Sequence, residues 1–114
     1  MRNFQLRAHE RITHLRVVSI HAPEHGCADD GCTIDLSRGG CKFYTDMPLS
    51  VGDAIELTWS DPAVTLGGRV VNVSPHDEGL FAGVRFYQPL SPGAFEELQQ
   101  HRPVAKRLRV VQAG

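Results

Sequence analysis

The chain has 114 residues, 41% of them apolar and 22% charged, with a formal net charge of −1. This is length for one core and not for two, with an ordinary globular composition, so multidomain, fibrous and disordered classes are excluded. No apolar run approaches the roughly 18 residues of a membrane span, and the opening MRNFQLRAHER lacks the apolar stretch of a secretion signal; a cytoplasmic protein with no membrane insertion is expected.

The small net charge conceals an uneven distribution. Arg2, Arg7, Arg11 and Arg16 lie near the start, Arg102, Lys106, Arg107 and Arg109 near the end, and the middle is acidic. Basic ends on an acidic body do not suit a long polyanion, so no nucleic-acid polymer is expected as partner. Lysine occurs only at 42 and 106, and arginine is the side chain that grips phosphates and guanine edges with two parallel bonds. The three cysteines, Cys27, Cys32 and Cys41, form no disulfide framework and read as reduced thiols.

Residues 1–15 are polar and read as an arm. LRVVSI (15–20) is a β-branched strand, and HAPEHGCADDG (21–31) reads as a loop. CTIDL (32–36) and CKFYT (41–45) alternate apolar and polar residues around the turn SRGG (37–40), which makes a hairpin. After DMPLSVGD (46–53), AIELTW (54–59) and VTLGGRVVNVS (64–74) are strands, the second with a bend or bulge expected at Gly67-Gly68. PHDEG (75–79) turns into the strand LFAGVRFY (80–87). Ser91-Pro92 then caps a short amphipathic helix to about residue 102, ahead of a basic tail, 103–114. The fold class is mainly β: a six-stranded antiparallel, Greek-key-like barrel at about 16–88, with one C-terminal α-helix, in a single domain.

Two patterns carry chemistry. Arg7-Ala-His-Glu-Arg11 places two arginines four apart in the arm. Asp35-Leu-Ser37-Arg-Gly39-Gly40 stands at a strand exit, where Asp35 and Ser37 should project together while Ile34 and Leu36 face the core. Gly39 and Gly40 should allow a sharp turn and the approach of a flat ring. A carboxylate accepts from the N1–H and N2–H₂ donors of guanine, and an arginine fork matches guanine O6 and N7 or two phosphate oxygens. The set is a clamp for a guanine phosphodiester. Three or four charge-assisted bonds of about 1.5–3 kcal/mol each support micromolar binding, even after the arm is ordered.

With RxxxR filled by Arg7 and Arg11, and [D/N]xSxxG filled by Asp35, Ser37 and Gly40, the chain resembles the PilZ domain family. VGDAIELTW and GVRF (83–86) add to the likeness, which spans about residues 6–101. The resemblance implies a cyclic di-GMP receptor or adaptor with no catalytic activity and no cofactor. In the family the RxxxR arginines grip phosphates and guanine, and the second motif holds base and phosphate. Ligand binding orders the arm and signals to a downstream protein partner in motility, pilus, exopolysaccharide or biofilm control. Arg38 is a further, variable contact. Leu6 stands where many members have an arginine that accompanies a stacked ligand pair, so a single ligand molecule is implied; separately, a monomer is expected rather than a dimer.

Two other readings compete. A PilZ-like module could act through protein contacts without ligand. His21, His25, Cys27 and Cys32 could make a small zinc-binding barrel, although H-x3-H-x-C-x4-C matches no common zinc module, and no metal is expected. His9-Glu10 and His14 miss HExxH by one residue, which turns the second histidine away on a helix. Ser37 has no histidine partner in sequence for nucleophilic chemistry. Flavin and single-stranded nucleic acid would both ask for more exposed aromatic surface than 7% aromatic residues supply.

Overall fold

Six antiparallel strands close into a barrel in a computed structural model that describes residues 12–61 and 63–100. They are β1 (Ile12–Ala22), β2 (Cys27–Ser37), β3 (Gly40–Thr45), β4 (Ala54–Trp59), β5 (Val64–His76) and β6 (Gly79–Phe86), followed by helix α1 (Pro92–Gln100). Round the barrel the order is β1-β2-β3-β6-β5-β4, with β4 closing on β1. The β3–β4 connection crosses one end and is tied down by Gly52 N–H on Val70 O and Val70 N–H on Asp53 O. Closure gives each strand a partner on both sides, the arrangement that protects a small sheet from pairing with other chains, although β1 and β4 meet only over residues 19–21 of β1.

Alternation along the strands sends Val18, Ile20, Phe43, Ile55, Leu57, Trp59, Val84 and Phe86 inward, all buried. Helix α1 covers one end of this core. The Ser91 hydroxyl accepts the Ala94 N–H at 3.1 Å, Pro92 occupies the first turn, and Leu98 is fully buried. These are the cap and apolar positions expected from the sequence.

Three expectations change. The stretch 21–31 is mostly strand: β1 runs to Ala22, a single 3₁₀ turn spans Pro23–His25, Gly26 adopts φ +64°, and β2 resumes at Cys27 opposite Ala22. Its polar residues are an exposed hairpin, in which ladder hydrogen bonds hold what composition alone marks as loop. The arm also ends sooner, since β1 begins at Ile12 rather than after residue 15. Finally, the strand phase slips at places the sequence did not mark. Ile34 is an extra residue between Thr33 and Asp35 against β3, so Thr33 and Leu36 are both buried while Ile34 is only half-buried. In β5 the irregularity falls at Val71, between Val70 and Asn72, and Gly67 and Gly68 pair in regular register with Glu56 and Ile55.

A polar cluster lies where β1 starts, β2 bulges and α1 ends. Nδ1 of His14 is 2.8 Å from Thr33 Oγ1, and Nε2 is 3.3 Å from the Leu98 carbonyl. That carbonyl can only accept, so Nε2 carries the proton in the neutral ring, and Nδ1 faces the Thr33 hydroxyl, whose one proton has two acceptors within reach, Nδ1 and the Arg16 carbonyl at 3.1 Å. Burial, with a smaller contribution from Arg16, holds the His14 pKa below its ordinary value, which favours the neutral ring.

Candidate functional site

The chain segment carrying Leu6, Arg7 and Arg11 lies outside the described residues, as does the tail 103–114. It joins the barrel at Ile12, directly opposite Leu36. The second motif therefore begins beside the point where the RxxxR segment enters the fold.

Asp35 is half-buried on β2, opposite Thr13 on β1 and Lys42 on β3. The slip at Ile34 turns Asp35 and Ser37 to the outer side while Leu36 fills the core. Ser37 is nevertheless buried, at 4% exposure, because its hydroxyl is built into the turn: it accepts the Gly39 N–H and donates to the Gly40 carbonyl, each at 3.2 Å. Gly40 is buried as well, and a Cβ there would lie 2.2 Å from the Val84 carbonyl. The missing side chain thus admits strand β6 at close range. Arg38 is half-buried; its Nε donates to Leu90 O at 2.6 Å and its carbonyl accepts Leu90 N–H at 2.7 Å. With Phe86 N–H on Gly39 O at 2.9 Å, the motif turn is fastened to the segment leading into α1.

The register also places beside the motif two cations that sequence reading did not single out: Lys42 opposite Asp35, and Arg85 opposite Gly40. The Lys42 ammonium sits 5.1 Å from the centre of the Phe81 ring. Only knowledge of which strands pair could have located them. Arg16 has a structural task, since its Nη2 donates to the carbonyls of Ser60 and Asp61 at 2.6 and 2.9 Å across the β4–β5 turn.

The four residues considered for zinc do not converge. His21 lies 3.8 Å from Glu56, and His25 lies 2.9 Å from Asp53. Cys27 pairs with Ala22, and Cys32 with Val17 and Tyr44. Among the described residues no group of three or more His, Cys, Asp or Glu side chains is gathered to hold a metal ion. The Asp53 carboxylate is held below its usual pKa chiefly by the Ser50 N–H, with His25 adding to the effect. No helix among the described residues is long and apolar enough to cross a membrane.

A family model described as PilZ domain matches residues 5–101. The chain belongs to the PilZ domain family. Both motifs fall inside the matched span. The barrel of this PilZ domain is similar to the PilZ domain of YcgR from Escherichia coli solved with c-di-GMP, at a TM-score of 0.61 and 21% identity over 83% of this chain and 87% of that one. It is also similar to the Inhibitor of motility (MotI/DgrA) of Bacillus subtilis, at 0.65 and 15%, and to the PlzA protein of Borreliella burgdorferi in complex with c-di-GMP, at 0.61 and 16%. The chain spans 52% of the first of these two and 40% of the second. At these identities the likeness is one of fold. Among curated proteins none matches the chain.

Proposed function

We propose that this PilZ domain is a cyclic di-GMP receptor that works by binding rather than catalysis and passes ligand occupancy to a protein partner. The observation that carries the reading is the junction of the two motifs: the segment bearing Arg7 and Arg11 enters the barrel opposite Leu36, between Asp35 and Ser37 of the second motif. The family match over residues 5–101 supports it, as does the similarity to the YcgR domain solved with c-di-GMP. Asp35 reads a guanine edge, and Arg7 and Arg11 close over the phosphates and base. Ser37, Gly39 and Gly40 hold the turn against which the ligand rests, and Arg38 contributes by bracing that turn. The partner acts on motility, pili, exopolysaccharide or biofilm in the cytoplasm, and the ordered arm is the signal it reads.

Titration calorimetry of the full chain tests this. Cyclic di-GMP binds at one equivalent per chain, because Leu6 offers a second nucleotide neither charge nor hydrogen bond. Cyclic di-AMP, without the N1–H and N2–H₂ donors, binds at least about tenfold more weakly. Arg7→Ala, Arg11→Ala and Asp35→Ala each lose about 1.5–3 kcal/mol of affinity, and the two arm variants keep their melting temperature. Absence of binding by the unaltered chain would point instead to a ligand-independent protein module. Equal affinity for the two dinucleotides would remove Asp35 from base recognition.

A further inference from the structure

Across the outer sheet, Ser37 of β2 is opposite Gly40 of β3, Gly40 is opposite Arg85 of β6, and Arg85 is opposite Arg69 of β5. Gly40 has no side chain, so Arg85 is the next side chain along this row from Ser37. The neighbouring row, two residues along, runs Asp35, Lys42, Gly83. Arg85 and Arg69 are both exposed and face each other directly, although like charges at opposed positions work against folding. Arg69 has other attachments: its Nη1 donates to Gly52 O at 2.7 Å, and its guanidinium sits 5.8 Å from the centre of the Tyr87 ring. Beyond its place in the strand ladder, the Arg85 side chain has no hydrogen-bond or ion-pair partner among the described residues.

We infer that Arg85 is a phosphate-binding residue of the motif site, with Arg69 behind it keeping the local potential positive. This rests on the receptor reading above. Arg85 stands two strand spacings, about 10 Å, from the strand that carries Asp35. A ligand whose guanine edge lies on Asp35 therefore brings a phosphodiester within reach of an arginine fork on β6. The planar fork matches two phosphate oxygens, and an anion between Arg85 and Arg69 relieves their mutual repulsion.

The test is calorimetric titration of the full chain with cyclic di-GMP at low and at moderate salt, together with thermal melts of the ligand-free protein. Arg85→Ala is expected to lose about tenfold in affinity and to show a shallower salt dependence. Its ligand-free melting temperature should equal or exceed that of the unaltered chain, because one member of a repelling pair has gone. Arg85→Lys should recover part of the affinity, keeping charge without the fork. An affinity loss smaller than about fivefold in Arg85→Ala overturns the inference, while the receptor reading stands. So does an affinity loss accompanied by an earlier ligand-free melt, which would mark Arg85 as structural. If the unaltered chain takes up no cyclic di-GMP, the receptor reading fails, and this inference with it.

Discussion

At Gly40 a single hydrogen in place of a side chain decides how two strands meet. A Cβ there would come within 2.2 Å of a backbone oxygen, Val84 O, which cannot rotate away as a side chain could. Gly40→Ala must therefore separate β3 from β6 locally, at a cost of about 1–3 kcal/mol, and a chemical denaturation midpoint should fall accordingly. Gly93 in the first turn of α1 is the control. An added Cβ there meets nothing within 4 Å, so Gly93→Ala should be neutral or slightly stabilising. Equal stability of the two variants would show that the β3–β6 contact yields easily. The same comparison bears on ligand binding, since any shift of Gly40 also moves the turn that Ser37 shapes.

The element that most directly links the barrel to α1 is the start of β1. His14 joins it to Thr33 on β2 and to the last turn of the helix through Leu98 O. In the unfolded chain this histidine titrates near 6.5, whereas burial lowers its pKa in the folded protein. Above pH 6.5 both states hold the ring neutral, and its contribution to stability is complete. As the pH falls through 6.5 the unfolded state takes up the proton first, and stability is lost until the folded-state pKa is passed. The fall in melting temperature between pH 7 and pH 5 should thus be smaller in His14→Gln than in the unaltered chain, whatever the variant's absolute stability. An identical pH dependence in both would assign the acid sensitivity to other groups.

For the molecule as a whole, barrel closure makes every strand depend on two neighbours, and α1 depends on the barrel end that Leu98 fills. A single core of this size should unfold in one step. Trp59, the only tryptophan, reports on that step: its ring is fully buried, 6.4 Å from His14 and 6.5 Å from Phe86, where β1, β4 and β6 come together. Its fluorescence and the far-ultraviolet circular dichroism of the strands should change with one midpoint. A tryptophan transition at lower temperature would mean that the capped end opens before the barrel.

What the sequence by itself determined was local in origin. Alternation in CTIDL and CKFYT, the Ser91-Pro92 cap and the turn residues between strands are set by neighbours in the chain, and they specified six antiparallel strands, a terminal helix and the motif turn. Composition misled at 21–31, where polar residues on an exposed hairpin look like loop although ladder bonds keep them in strand, and at the end of the arm, where β1 already begins at Ile12. The tertiary structure decided what depends on pairing between distant segments. The phase slips at Ile34 and Val71 were invisible because a bulge is defined by the partner strand. The contact that requires Gly40 is with Val84, and the place of Arg85 beside the motif follows from β3 pairing with β6. Local sequence encodes the period of a strand; its register is settled by the core that the whole barrel must fill, and with the register comes the assembly of the outer face that carries the second motif.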